Sequence, residues 1–376
     1  MKKYALLALC AILISSLLSF TACKKEEYAP VDSTELEATE VMTFTLEGEK
    51  YSVRYELYRA LFLSYKSEID GGDSSVWTGE NKSAYIKEID LKIAESAARI
   101  YSALATAKKI GYDPYSATVD NEIKELIRIS VEGGTWGGIT VPGYDSYEDY
   151  LAALKDMNLN YSVQVLMYRY ALAIEAIEDY YIGTVSSEDI DGTEANPGAI
   201  EYTKDTVEAF YNSDDCVRVL RMQLDTSYDK DPTERLARAK AAIEAVAHTG
   251  ESAVIAAMIG AGSLTAAKEM QDGYVMAKHN LDRGVYGELT DAVFKLEPYE
   301  VSDAILVSDE DGTYHVIVYR ADKSSAHFES CYSSIAYIYL KNEVGKILDT
   351  RACDLVDSLF KTEFLLNLDR NNISME

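Results

Sequence analysis

Hydrophobic positions along the chain change period several times, and each change marks an element. Behind Lys2 and Lys3 an apolar run extends from Tyr4 to Phe20 and ends in Thr21-Ala22-Cys23. A basic start, a short apolar core and small residues before a cut mark a secretory signal rather than a membrane span. Residues 24–42 hold few bulky apolar groups among Glu, Thr, Ala and Pro, a composition that reads as a flexible tether. Thr43-Phe44-Thr45-Leu46 alternates as a strand does, and Glu47-Gly48-Glu49 reads as a turn. Tyr51 then leads into a helix with Tyr58, Leu61, Phe62 and Tyr65 on one face. Ile93, Ile100, Leu104 and Ala107 mark a second helix, stopped at Gly111. Val119, Ile123, Leu126 and Ile127 mark a third, Ser146-Tyr147-Glu148-Asp149 caps a fourth, and residues 161–181 form the longest of this group.

A linker of Ser, Asp, Glu and Gly follows from Gly183 to Gly198, and a short helix over 203–211 ends in Phe210-Tyr211. Val217 to Leu224 reads as a strand. Asp231-Pro232-Thr233-Glu234 reads as an N-cap, a proline at the first helical position and a closing glutamate, ahead of a helix that stops at Gly250. A second short helix spans 253–259, and after Lys323 two helical segments close the chain, one through Phe328, Ile335, Val344 and Leu348, the other through Leu355, Leu359, Phe360 and Leu365. Strands and helices in separate runs predict an α+β fold. Gly133-Gly134-Thr135-Trp136-Gly137-Gly138 lacks the lysine of a phosphate loop, and no helix start follows it to hold an anion, so it reads as a flexible loop.

Charge and cysteine content narrow the function. The chain of 376 residues has a net charge of −27, and the leader that would be removed carries two lysines and no acid. This balance excludes nucleic acid as a partner and works against docking on anionic lipid. Of five cysteines, Cys10 leaves with the leader and Cys23 follows the cut; Cys216, Cys331 and Cys353 show no metal-ligand spacing and read as idle thiols, with one bridge left open. No metal or nucleotide motif stands out, and no cofactor is expected.

An ordered series of small patterns runs from Asp272 to Arg320: Asp272-Gly273-Tyr274-Val275, Glu288-Leu289-Thr290-Asp291-Ala292-Val293-Phe294-Lys295-Leu296, Glu300-Val301-Ser302, and Gly312-Thr313-Tyr314-His315-Val316-Ile317-Val318-Tyr319-Arg320. In that order they resemble the second half of a parvulin-type peptidyl-prolyl isomerase domain, which would span 215–322. The N-terminal pattern, with Leu46-Glu47-Gly48-Glu49 and Ala107-Lys108-Lys109-Ile110-Gly111-Tyr112, resembles the first domain of the PrsA and SurA foldases. Ala22-Cys23 resembles a bacterial lipoprotein signal, with Phe20 where leucine is usual, which implies lipidation at Cys23. These resemblances imply a signal over 1–22, a lipidated tether over 23–42, a helical domain over 43–182, a linker over 183–202, a connecting helix over 203–214 and the inserted parvulin-like domain. The C-terminal helices, 323–376, would pack on the N-terminal domain and make it discontinuous.

The resemblance also implies a site, and here the chain departs from the family. His315 stands where the second of two histidines belongs, while Arg221 takes the place of the first, beside Met222. Thr265 falls near the position of the family's Cys or Asp, and Val285 and Leu289, with Phe294, would line the proline slot. Arginine stays charged and only donates, so it cannot stand in for a neutral imidazole. His315 and Thr265 are therefore the catalytic candidates, and Arg221, Met222, Val285, Leu289 and Phe294 the substrate-binding ones, in an incomplete site. His248, His279 and His327 read as surface residues. The implied function is a membrane-anchored, extracytoplasmic foldase that holds unfolded secreted polypeptides with weak or lost isomerase activity. An active isomerase and a ligand-binding surface lipoprotein are the alternatives, and homodimerisation is left open.

Overall fold

The structure is a computed structural model and describes residues 28–46, 48–136, 139–183, 198–226, 231–265, 273–279, 281, 283–309, 312–358 and 360–374. The expected signal, Cys23 and most of the expected linker lie outside the described residues. Strands β1 (Glu40–Leu46) and β2 (Glu49–Arg54) run straight into helix α1 (Tyr55–Asp70). There follow α2 (Lys82–Lys109), α3 (Ala117–Glu132), β3 (Gly134–Trp136), β4 (Ile139–Val141), α4 (Tyr147–Asp156) and α5 (Tyr161–Tyr181). Next come α6 (Lys204–Asn212), β5 (Cys216–Leu224), α7 (Thr233–Glu244), α8 (Glu251–Gly260), β6 (Tyr274–Ala277), α9 (Arg283–Val293), β7 (Ile305–Asp309) and β8 (Gly312–Ala321). The chain closes with α10 (Ser325–Ser330), α11 (Tyr332–Ser358), β9 (Phe360–Lys361) and α12 (Glu363–Asn367). The class is α+β with small antiparallel sheets, as the mixture of periods predicts.

The chain divides into two compact units, Met1–Ile177 together with Ile347–Glu376, and Glu178–Lys346. In the first, α1 and α2 bury Tyr58, Leu61 and Phe62 with Ile93, Ala97, Ile100 and Leu104. Burying this apolar stripe stabilises the unit by roughly 1.5 to 3 kcal/mol for each large side chain. Its sheet has the order β2-β1-β9, so two residues near the C-terminus pair with the first strand, Met42 opposite Lys361 and Thr43 opposite Phe360. Buried Asp90 reinforces this closure. Its Oδ1 accepts from Tyr58 Oη at 2.7 Å, and its Oδ2 accepts from Lys361 Nζ at 2.8 Å and Arg370 Nη2 at 3.1 Å.

Four expectations for this unit are corrected. Tyr51 lies in β2, and the helix begins only at Tyr55, because Glu49 to Arg54 pairs along β1. Residues 28–39 are not a free tether: Ser33 Oγ donates to Glu56 Oε2 at 2.6 Å, and Glu37 accepts from Arg59 at 2.5 Å and from Asn160 at 3.1 Å. The described part of the glycine-rich run is not a loop: Gly134–Trp136 is strand β3, paired antiparallel with β4. The pair closes because Gly133 and Gly143 both hold φ near +80°, where a Cβ on Gly143 would lie 2.4 Å from Gly133 N. The second C-terminal segment is split rather than one helix: α11 runs on through Leu355, Phe360 pairs in β9, and Leu365 lies in the short α12.

In the second unit a four-stranded sheet of order β6-β5-β8-β7 has helices on both faces. Leu220, Met222 and Leu224 of β5 and Ile317 and Tyr319 of β8 pack with Ile243 of α7 and Val254 and Met258 of α8. The alternate residues Val217, Val219, Val316 and Val318 pack with Leu289 and Val293 of α9. Pro232 is the N-cap of α7 rather than its first residue, and Asp231 accepts from the Thr233 N–H at 3.0 Å. His327 is not a surface residue: it is buried with its Nδ1 3.0 Å from Tyr211 Oη, in a cluster with Phe210 and Phe328.

Candidate functional site

The site implied by the sequence falls on the sheet of the second unit, and the strand register decides what it can do. β5 and β8 run antiparallel with Leu224 opposite His315, Met222 opposite Ile317 and Arg221 opposite Val318. Directly opposed residues share a face and neighbours along a strand alternate. His315 therefore lies on the face covered by α7 and α8, and Arg221 lies on the face covered by α9. An Arg221 beside His315, which the sequence suggests, is excluded by this parity.

His315 sits at the end of its face, half-buried, with Nδ1 2.7 Å from the Thr226 hydroxyl. Burial lowers its pKa below the ordinary value of 6.5, so the neutral ring is favoured near pH 7. Thr226 was not singled out in the sequence; its signal is its place two residues beyond Leu224, the residue that pairs with His315. Met222, on the same face, is fully buried beneath α7 and α8 and is not available to a peptide.

Arg221 places its guanidinium carbon 4.4 Å from the centre of the Tyr274 ring, an attractive stacking arrangement. Its Nε has no hydrogen-bond partner among the described residues. The residue before Tyr274 is closely packed. Gly273 adopts φ +71°, and a Cβ there would lie 3.1 Å from Arg218 Nε and 3.2 Å from Val219 O. Arg218 is itself fixed by a paired contact with Glu251, at 2.6 and 2.9 Å. Leu289 is buried in the core under α9, and Phe294 packs half-buried against the same cluster. Leu289 thus fills the sheet face rather than lining an open slot. Val285 lies on α9, but its side chain is outside the described residues.

Thr265 is buried beyond the end of α8, where the Leu264 N–H donates to Gln223 O at 2.8 Å. Its hydroxyl has no hydrogen-bond partner among the described residues, so it is not bonded to His315. The structure thus brings His315 and Met222 to one face and Arg221, Leu289 and Phe294 to the other. What remains chemically is a lone neutral imidazole oriented by a hydroxyl on one side and a stacked guanidinium on the other. Among the described residues no group of His, Cys, Asp and Glu is arranged to hold a metal ion. Cys216, Cys331 and Cys353 are free thiols, and burial pushes the pKa of Cys216 up to about 12. No described helix is long and apolar enough to cross a membrane.

The chain matches no protein-family model and no curated protein. Among solved structures it is similar to the foldase protein PrsA from Streptococcus pneumoniae, at 13% identity and a TM-score of 0.21, over 88% of this chain and 97% of that one. It is also similar to the foldase protein PrsA from Lactococcus lactis, at 12% identity and a TM-score of 0.23, over 89% of this chain and 99% of that one.

Proposed function

We infer that the chain is a foldase that works outside the cytoplasm by holding unfolded polypeptides, with prolyl isomerisation weak or absent. The observation that carries the second half of this reading is the division of His315 and Arg221 between opposite faces of one sheet. Isomerisation of an X-Pro bond has to lower a barrier of about 18–20 kcal/mol set by amide resonance. Groups that would favour the twisted amide must converge on it, and these two cannot. The ordered patterns from Asp272 to Arg320 and the secretory-type leader over residues 1–22, followed by Cys23, support the first half. Lipidation at Cys23 would hold the molecule at a membrane surface, each buried methylene contributing about 0.8 kcal/mol.

The test is X-Pro isomerisation by the chain from Lys24 onward, run beside suppression of aggregation of two unrelated unfolded proteins. The expected result is little acceleration and clear suppression near equal stoichiometry. Strong acceleration at catalytic amounts that vanishes in His315→Ala would replace the holding function with an enzymatic one. Neither effect, with thermal stabilisation by a small molecule, would favour a ligand-binding lipoprotein. For the anchor, Cys23→Ala should release the protein from the membrane fraction.

A further inference from the structure

Residues 28–36, Tyr-Ala-Pro-Val-Asp-Ser-Thr-Glu-Leu, lie on the first unit in a way that identifies the surface beneath them. Tyr28 packs its ring 5.1 Å from that of Tyr147, which stacks on Tyr150 at 6.1 Å, and Tyr150 meets Tyr144 at 5.7 Å. The Tyr147 hydroxyl donates to Ala29 O at 2.8 Å, the carbonyl of the Ala29-Pro30 bond. Further along, Ser33 Oγ lies 2.6 Å from Glu56 Oε2 and 2.8 Å from Ser162 Oγ. Proline fixes its own φ and holds the residue before it extended, so such a stretch loses little freedom on docking.

The grip on this strap is polar and aromatic rather than aliphatic. Val31 is 44% exposed and Leu36 is 51% exposed, so the two side chains that could anchor it most strongly face solvent. The structural role belongs to the residues just after it, where Thr39 O and Glu37 O receive the first two N–H groups of α1. A stretch held by a few hydrogen bonds and one ring contact is a displaceable occupant.

We propose that Tyr147, backed by Tyr144 and the fully buried Tyr150, forms with Ser162 and Glu56 a docking surface for extended polypeptide of the aromatic-X-Pro type, and that residues 28–36 are its resident competitor. This rests on the foldase reading for the source of the incoming chain, and on the contacts above for the surface itself. Displacing the strap opens this surface to a client, and the strap returns when the client leaves.

The experiment uses the chain from Lys24 onward with Cys331→Ser and Cys353→Ser, and a fluorescent peptide of sequence 28–36 as probe. In one form Ser33→Cys and Ser162→Cys lock the strap by a disulfide, which the closeness of the two hydroxyls permits. In a second form residues 28–36 are deleted. The deleted form should bind the peptide tightly, the locked form should bind it at least tenfold more weakly, and reduction should restore the unlocked level. Tyr147→Phe in the deleted form, which keeps the ring and removes the hydroxyl, should weaken binding roughly fivefold. Equal binding by locked and reduced forms, or none by a folded deletion form, overturns the proposal. Aggregation suppression read in parallel separates the two ideas. Peptide binding without suppression leaves the docking surface standing and sinks the foldase reading, whereas suppression that is indifferent to the lock does the reverse.

Discussion

Removing one carboxylate, that of Asp90, strips partners from Tyr58, Lys361 and Arg370 at once. Asp90 and Arg370 are almost fully buried, so Asp90→Ala leaves a guanidinium without its counter-charge and should cost about 3–5 kcal/mol in urea unfolding. Two groups give pH signatures of the same sign. Burial works to raise the pKa of Glu37, but hydrogen bonds from the Thr34 N–H, Arg59 and Asn160 outweigh it and bring the value down to about 2. Its contribution to stability is therefore complete above the ordinary value of 4.5 and is lost as pH falls toward 2. Loss of amide protection at Thr34, whose N–H Glu37 accepts, should follow that range. For His315 the lowered pKa means that the folded state resists protonation, so its contribution is present above about 6.5 and is lost as pH falls. An NMR titration of the ring should give a midpoint below 6.5 that rises in Thr226→Val only if the hydroxyl bond favours the neutral ring. None of the spatial relations behind these effects is legible in composition. Arg221 and His315 both look like site residues in the sequence, and only the pairing of Leu224 with His315 reveals that they face opposite ways.

Elements were legible where one period ran long enough to dominate. The alternation from Val217 to Leu224 becomes β5, and the helical stripe over 161–181 becomes α5. Legibility failed where pairing with a distant segment decides. Tyr51 to Arg54 abuts an aromatic helical stripe, so its strand character shows only in the register with β1. β9 is two residues long and exists only because β1 offers it an edge. The strap over residues 28–36 went unseen because hydrogen bonds and a ring contact leave no trace in hydropathy. The pairing of β3 and β4 depends on glycine in a way that can be measured. Gly143→Ala places a Cβ against Gly133 backbone at φ +82°, and should destabilise the first unit by about 1–3 kcal/mol, with faster exchange of the Tyr144 N–H that donates to Val131 O.

At the scale of the whole molecule, the first unit is built from two separated stretches of chain and the second from one. Ending the chain after Ser358 removes β9, α12 and the cations that face Asp90. Hydrogen exchange should then rise around Met42, Tyr58 and Asp90, while the β5–β8 ladder in the second unit keeps its protection. The α+β class was legible at this scale because the two periods alternate in blocks. The grouping of Ile347–Glu376 with the first 177 residues depends on contacts more than 240 positions apart, such as Ser102 with Leu348 and Thr106 with Arg351. That long-range closure also sets a timetable. A ribosome finishes every residue of the second unit while the first still lacks its third strand and the cations that neutralise Asp90, so the part of the molecule made first is the part that matures last.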